Sequence, residues 1–126
     1  MSAKKKVLIV DDEKDLVEML AIRLEADGRY EIGTAFDGEE ALAKASELDP
    51  DVVVLDTVMP GLDGWQVARR LRDDERTKDA AVVIMTAGAA AESKRKAQEV
   101  GAVKLVLKPY DQKELLSVIR EVGRRP

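Results

Sequence analysis

Residues 51–64 decide the fold, and they read DVVVLDTVMPGLDG. The run Val52–Leu55 is apolar and rich in β-branched residues, which favours a strand. Because the run is continuously apolar rather than alternating, it is typical of a parallel strand that helices cover on both faces. The turn-forming residues Met59-Pro60-Gly61 follow shortly afterwards. Asp56 is therefore expected at the C-terminal end of a buried strand, although a carboxylate in this place also fits a simple turn.

Similar runs on both sides of this stretch predict further strands. Three are mainly aliphatic, and the fourth is more polar, as an edge strand would be: residues 7–10, 81–85 and 103–107, and then residues 30–36. Between them, apolar residues recur at helical spacing, as at Leu16, Leu20 and Leu24. The pattern is (βα)5. Since crossovers between parallel strands are right-handed, the expected fold is an α/β doubly wound sheet in three layers.

Local signals mark several helix ends. Asp37 followed by Glu40, and Asp111 followed by Glu114, resemble capping boxes with Asp as the capping residue. Two glycines are expected to close helices, Gly28 and Gly101. The alanine-rich and charged stretch 89–98 carries only a thin apolar stripe. The fourth helix is therefore expected to be weakly anchored.

The composition limits the classes of function. The chain has 126 residues, which suits one domain. Its net charge is only −4 and its aromatic content is 3%, so nucleic-acid binding is not expected. The absence of Cys and His excludes disulfides, thiolate metal sites and a histidine general base. The apolar runs are too short to span a bilayer and no secretory signal is evident, so we expect a cytoplasmic protein without membrane insertion.

Polar residues follow the ends of the predicted strands. Asp11 and Asp12 follow the first strand, Asp56 the third, Thr86 the fourth and Lys108 the fifth. In doubly wound sheets, ligands bind outside the carboxyl ends of the strands. Carboxylates that converge there repel one another unless a cation compensates, and oxygen-only ligation suits Mg²⁺. Together with the lysine and the hydroxyl, such a site could stabilise a phosphoryl group on Asp56.

Taken jointly, these motifs resemble the receiver domain of two-component response regulators. The matching residues are Asp11-Asp12, Asp56 within LDTVMPGLDG, Thr86-Ala87 and Lys108-Pro109-Tyr110. The match covers essentially the whole chain in the order and spacing of the family. It implies a flavodoxin-like sheet with strand order 2-1-3-4-5. It also implies that residues 1–126 form one receiver domain of the single-domain, chemotaxis-regulator-like kind, structured over about residues 4–122.

The resemblance also implies a phosphoacceptor and a metal site. Asp56 would be the nucleophile that accepts the phosphoryl group. Asp12, Asp56 and the backbone carbonyl of Val58 would bind Mg²⁺ directly, and Asp11 would act through metal-bound water.

Further residues are implied to hold the phosphoryl group. Lys108 would pair with it, and Thr86 would hydrogen-bond it on activation. The N–H groups of Val58 and Ala87 would help to hold its oxygens. The peptide bond before Pro109 is expected to be cis, an isomer that X–Pro bonds reach at small cost.

The family function follows from these roles. The donor would be a sensor histidine kinase or a histidine phosphotransfer protein, and phosphorylation would switch an interaction surface for a downstream target of unknown identity. Such a protein is a signalling phosphoacceptor in a phosphorelay rather than an enzyme, with at most slow self-catalysed phosphorylation and dephosphorylation.

Several alternatives stay open at this point. Asp11 and Asp12 also fit a helix cap. Leu105 stands where the family usually has Tyr or Phe, so a phosphorylation-independent receiver-like interaction module is the main alternative. An aspartate-nucleophile phosphatase would need an acid where Val58 stands, and a dinucleotide site would need a glycine-rich loop after the first strand. Residues 123–126 would fit a linker to a further domain.

Overall fold

The computed structural model describes residues 4–124 as five strands that alternate with five helices. The strands are β1 (Lys5–Val10), β2 (Tyr30–Ala35), β3 (Val52–Asp56), β4 (Ala81–Thr86) and β5 (Lys104–Leu107). The helices are α1 (Lys14–Ala26), α2 (Gly38–Leu48), α3 (Gly64–Asp73), α4 (Ala90–Glu99) and α5 (Gln112–Gly123). Of the stretch considered as a linker, residue 123 ends α5 and residues 125–126 lie outside the described range. Within that range, no helix is both long and apolar enough to cross a membrane.

The sheet is parallel throughout, and its strands lie in the order β2-β1-β3-β4-β5. Val7 of β1 pairs with Ile32 on one side and with Val52 on the other. Asp56 at the end of β3 lies opposite Met85 of β4. The doubly wound, flavodoxin-like fold and its strand order, both expected from the sequence, are confirmed.

Helices on the two faces of the sheet enclose two separate cores. Side chains alternate along a strand, so Val52 and Val54 point into the core under α1 and α5, here called the α1/α5 core. Val53 and Leu55 point into the core under α2 and α3, here called the α2/α3 core. All four residues are buried. This two-sided burial explains why the strand is continuously apolar in sequence.

Two predicted helix caps form, but not as capping boxes. Asp37 accepts a hydrogen bond of 2.8 Å from the N–H of Glu40. The Glu40 carboxylate, however, accepts from the N–H one residue before Asp37, at 3.1 Å. Asp111 caps α5 by accepting from the N–H of Lys113 at 2.9 Å, so the predicted box with Glu114 is wrong. In both cases the capping carboxylate is satisfied without the reciprocal bond.

A reciprocal capping box is present at α3, where the sequence analysis did not predict one. Asp63 Oδ1 accepts from the N–H of Gln66 at 2.9 Å, and Gln66 Oε1 accepts from the N–H of Asp63 at 3.0 Å. This box fixes the start of α3 just beyond the loop that follows Asp56. The predicted closing glycines, Gly28 and Gly101, follow α1 and α4 with φ of 72° and 73°.

The fourth helix is weakly anchored, in agreement with the sequence analysis. The buried residues of α4 are Ser93 and Ala97, both small. Its side-chain contact with α3 includes Lys96, whose Nζ lies 5.8 Å from the centroid of the Trp65 ring. Trp65 itself packs against the α2/α3 core. Little apolar surface therefore ties α4 to the sheet.

Candidate functional site

The strand ends bring the predicted site residues together at the carboxyl edge of the sheet. Asp11 directly follows β1, Asp56 ends β3 and Thr86 ends β4, and all three are buried. Asp12 is exposed beside them. Asp11, Asp12 and Asp56 each offer a carboxylate oxygen, and these oxygens lie within 4.8 Å of one another. This group of three aspartates is called the acidic pocket below.

Lys108 supplies the cation of the acidic pocket. Its Nζ donates a hydrogen bond of 2.9 Å to Asp56 Oδ1 and lies 4.0 Å from Asp11 Oδ2. Burial alone lowers the pKa of Lys108. The hydrogen bond to Asp56 and the negative charges of Asp56 and Asp11 more than offset this effect, so the pKa is raised. Lys108 is therefore held in its charged form against Asp56.

Asp11 has the least favourable surroundings of the three carboxylates. Its Oδ1 accepts a hydrogen bond of 3.0 Å from the N–H of Glu13, whereas its buried Oδ2 has no hydrogen-bond partner among the described residues. Burial raises the pKa of Asp11 to about 6; the N–H of Glu13 and the charge of Lys108 oppose this rise, and the charge of Asp56 adds to it. The cap position of α1 is taken by Glu13, so the alternative of Asp11 or Asp12 as the capping residue is wrong.

The donor set of the acidic pocket is compatible with a hard divalent cation. Carboxylate oxygens are the ligands that Mg²⁺ prefers in proteins, and Mg²⁺ is often held by one or two of them together with a phosphate oxygen. Three carboxylates face the single positive charge of Lys108. Asp11 Oδ2 lies 4.0 Å from Lys108 Nζ but accepts no hydrogen bond among the described residues, so it has room for a further interaction.

The loop after β3 lies close against the end of that strand. Gly64 is required here, because a Cβ at this position would collide with the backbone carbonyl oxygen of Asp56. The N–H of Gly64 donates to the carbonyl of the residue after Asp56 at 3.1 Å. Val58, which the resemblance implied as a backbone ligand, lies in this loop with its side chain 73% exposed. Ala87, the other implied backbone donor, is exposed directly after β4.

The hydroxyl of Thr86 is engaged away from the acidic pocket. Thr57 Oγ1 donates to Thr86 Oγ1 at 3.0 Å, and the N–H of Gly88 donates to the same oxygen at 3.1 Å. Both threonines are buried. Thr57 was not predicted from the sequence as a site residue. Its pairing with Thr86 depends on the register of β3 and β4, which a single sequence does not reveal.

The segment around β5 carries the remaining predicted positions. The Lys108–Pro109 peptide bond is cis, the isomer that the resemblance implied. Tyr110 packs against the α1/α5 core, and its buried hydroxyl has no partner among the described residues. Leu105 is half-buried and packs against the α2/α3 core. A packed aliphatic side chain thus stands where the family usually has an aromatic ring.

Known proteins resemble this chain in sequence and in structure. The model of the response regulator receiver domain matches residues 7–120. The DNA-binding dual master transcriptional regulator RpaA of Synechocystis sp. is 38% identical over 120 residues, which span 95% of this chain and 49% of RpaA. The response regulator PleD of Caulobacter vibrioides is 40% identical over 124 residues, which span 98% of this chain and 27% of PleD. The chain therefore spans about half, or less, of the length of these two relatives.

A solved structure extends the likeness to the fold. The chemotaxis protein CheY4 of Vibrio cholerae has a TM-score of 0.86 and 34% sequence identity, and the match covers 95% of this chain and 99% of CheY4. The strand order, the acidic pocket and the family match agree with one another. The chain belongs to the response regulator receiver domain family of two-component signal transduction.

Proposed function

We propose that this chain is a phosphoacceptor switch in which Asp56 takes a phosphoryl group from a phosphohistidine. The observation that supports this most directly is the hydrogen bond of 2.9 Å between Lys108 Nζ and Asp56 Oδ1 inside a pocket of three carboxylates. Asp56 is the carboxylate that lies both in the cluster and within hydrogen-bond distance of the lysine. The chain contains no histidine, so the donor histidine belongs to a sensor kinase or a phosphotransfer protein.

The transfer requires positioning and charge neutralisation more than covalent chemistry. A carboxylate oxygen of Asp56 forms a bond to phosphorus while the P–N bond to the donor imidazole breaks, and the electron pair of that bond leaves with the nitrogen. Lys108 stays charged and neutralises oxygens of the phosphoryl group. The N–H groups of Val58 and Ala87 and the hydroxyl of Thr86 hold its remaining oxygens.

A magnesium ion at the acidic pocket would neutralise negative charge on the transferred group. In this proposal Asp12, Asp56 and the carbonyl of Val58 bind it directly, and Asp11 holds it through water. The exposure of Asp12 and the burial of Asp11 suit these two roles. Asp11 Oδ2, which is buried without a hydrogen-bond partner among the described residues, would then accept a bond from water.

The phosphorylated protein would persist as a signalling state and would not be hydrolysed rapidly. Val58 stands two residues after Asp56 with an apolar, exposed side chain, so this loop position offers no acid or base to activate a water against the acyl phosphate. The self-catalysed loss of the phosphoryl group should therefore be slow. Phosphorylation would shift the equilibrium between two conformations of the surface. A partner would respond to this shift because it binds the two conformations with different affinities.

The output surface is proposed to include α4 and the loop before it. Leu105 lacks the aromatic ring through which the family usually couples Thr86 to this face, whereas α4 is held by small buried residues. RpaA is named as a DNA-binding regulator. This chain has a net charge of −4, which does not favour contact with nucleic acid, and we propose a protein target in the cytoplasm.

Incubation with acetyl phosphate and Mg²⁺, followed by intact-mass measurement, tests the proposal. One phosphoryl group should be added to the wild-type protein, and Asp56→Asn should abolish the addition. Asp51→Asn is the matched control, because Asp51 lies in the same segment at the opposite end of β3, where its Oδ2 accepts from the N–H of Lys6 at 2.8 Å. Equal modification of Asp56→Asn and wild type would reject Asp56 as the nucleophile.

A phosphorylation-independent interaction module is the second candidate, and the observation that favours it is Leu105. Such a module would keep its fold and its partners without accepting a phosphoryl group. Absence of any mass increase in the wild-type protein, under conditions that modify a known receiver domain, would favour this candidate.

A further inference from the structure

The structure connects the end of β3 to the end of β4 through two buried hydroxyl groups. Thr57 Oγ1 donates to Thr86 Oγ1 at 3.0 Å, and both residues are about 95% buried or more, with exposures of 5% and 3%. The N–H of Gly88 donates to the same Thr86 oxygen at 3.1 Å. Thr86 Oγ1 therefore has both of its acceptor positions filled by groups other than the acidic pocket.

The alternation of side chains explains the direction in which Thr86 is held. Val53 and Leu55 of β3 point into the α2/α3 core, and Ile84 of β4 does the same. Continued by two residues along each strand, this alternation puts Thr57 and Thr86 on that side of the sheet. Asp56 lies between Leu55 and Thr57 in the sequence, so the alternation puts its side chain toward the opposite face of the sheet. The bond from Thr57 therefore holds the hydroxyl of Thr86 on the α2/α3 side, away from the phosphoacceptor.

We infer that Thr57 is a positioning residue that stabilises the resting state of the switch by holding the hydroxyl of Thr86. This inference rests on the proposed function, in which Thr86 hydrogen-bonds a phosphoryl group on Asp56. Thr86 would donate its own proton to the phosphoryl group, and to do so its hydroxyl must move from the α2/α3 side toward Asp56. This movement breaks the bond that Thr86 Oγ1 accepts from Thr57 in the buried interior, and the loss of a buried hydrogen bond costs free energy. The residue that follows the phosphoacceptor in the sequence thus opposes activation.

Movement of the Thr86 hydroxyl would also affect α4, through Gly88 and Ser93. The space beside Gly88 is bounded by two hydroxyl oxygens, since a Cβ built there would lie 3.3 Å from Thr86 Oγ1 and 3.1 Å from Ser93 Oγ. Ser93 is a buried residue of α4. When Thr86 leaves, the N–H of Gly88 loses its partner, and the loop that leads into α4 must rearrange. This route uses hydroxyl groups and does not need an aromatic ring at residue 105.

Replacement of Thr57 by valine tests the inference, because valine keeps the shape of threonine and removes the donor. Beryllofluoride, a phosphoryl analogue, would be titrated with Mg²⁺ into wild type, Thr57→Val and Thr57→Ser, with binding followed by fluorine NMR. Thr57→Val should bind the analogue about three- to tenfold more tightly, as expected for one hydrogen bond lost from the resting state only. Thr57→Ser, which keeps the hydroxyl, should restore the wild-type affinity.

A second measurement, the NMR amide shifts of the free protein, distinguishes a positioning role of Thr57 from a general loss of structure in Thr57→Val. Without beryllofluoride, the amide signals of Thr86 and Gly88 in Thr57→Val should be displaced toward their positions in the beryllofluoride-bound wild type. The matched control is Thr77→Val, since Thr77 is equally buried and donates to the carbonyl of Leu71 at 2.6 Å, outside the site. This control should leave the affinity for beryllofluoride unchanged.

The outcomes distinguish the two proposals. An unchanged or weaker affinity in Thr57→Val, with normal binding in the wild type, would overturn the role of Thr57 alone. No binding in the wild type, or unchanged binding in Asp56→Asn, would count against the proposed phosphoacceptor function instead.

Discussion

Both the amino edge and the carboxyl edge of the sheet carry aspartates, but the pKa of an aspartate is lowered at the first edge and raised at the second. At the amino edge, Asp74 accepts from the N–H of Arg76 at 2.9 Å and from its guanidinium, and the N–H bond is the largest of the effects that lower the pKa of Asp74. At the carboxyl edge, burial raises the pKa of Asp11 to about 6. The carboxylate of Asp74 is thus hydrogen-bonded by a residue two positions along the chain, whereas one oxygen of Asp11 accepts no hydrogen bond from the described residues. Acidic composition alone therefore does not mark a site, whereas burial and convergence do.

Of the substitutions that compare the two edges, replacement of Lys108 at the carboxyl edge should have the largest effect on the free energy of unfolding. In EDTA, Lys108→Met should lower the free energy of unfolding by about 1–3 kcal/mol, because two buried carboxylates lose the cation beside them. Lys78→Met at the amino edge should change it by less than about 0.5 kcal/mol, since Lys78 pairs with the exposed Glu75 at 2.9 Å. Urea unfolding of both variants measures the difference, and equal effects would remove the contrast between the edges.

The pH dependence of stability should have opposite signs at the two edges. Asp11 has a folded pKa of about 6, above its unfolded value near 3.9. The folded state then binds more protons, so the wild type without metal should lose about 1–2 kcal/mol relative to Asp11→Asn as pH rises from about 4 to 7. For Asp74, whose folded pKa is lowered, the contribution is present above the unfolded pKa and is lost as pH falls below it.

Urea unfolding in EDTA at several pH values, with wild type, Asp11→Asn and Asp74→Asn, checks this prediction. The difference between wild type and Asp11→Asn should shrink toward acid. A difference that is constant with pH would mean that Asp11 is not held in an unfavourable charged state in the folded protein.

Substitutions of Asp12 and Asp51 should have the smallest effects on stability, and the two effects should differ in sign. Asp12→Asn removes one of three repelling charges and should stabilise the metal-free protein by about 0.5–1 kcal/mol, an effect that the exposure of Asp12 keeps small. Asp51→Ala removes the bond of 2.8 Å to the N–H of Lys6 and should destabilise it by a similar amount. Isothermal titration should also show weaker Mg²⁺ binding in Asp12→Asn only.

The sequence predicted the fold because several local signals agreed. The continuous apolar runs around Val54 identified strands that are covered on both faces, and the alternation with helical spacing led to the doubly wound sheet. The glycines Gly28 and Gly101 were identified correctly because a left-handed residue after a helix strongly favours glycine. The capping boxes were less predictable. An aspartate such as Asp111 can bond either of two nearby N–H groups, and the spacing alone does not say which.

The convergence of the candidate site residues at one edge of the sheet was predictable from the sequence, but their hydrogen bonds were not. The convergence of Asp11, Asp56 and Lys108 follows from the rule that parallel strands end at one edge. The bond between Thr57 and Thr86 does not follow from that rule, because it requires the register between two strands that are separated by a whole helix and loop. The sequence also does not reveal that Asp11 Oδ2 lacks a hydrogen bond among the described residues, since this depends on which oxygen of Asp11 accepts from the N–H of Glu13.

The contact between Lys96 and the Trp65 ring allows the position of α4 to be followed by intrinsic tryptophan fluorescence. Trp65 is the single tryptophan of the chain, and its ring lies on α3 with the ammonium group of α4 at 5.8 Å from its centroid. An indole beside a cation emits differently from one that has lost it. Movement of α4 on phosphorylation should thus be readable as a change in intrinsic fluorescence, without a dye, a label or knowledge of the downstream target.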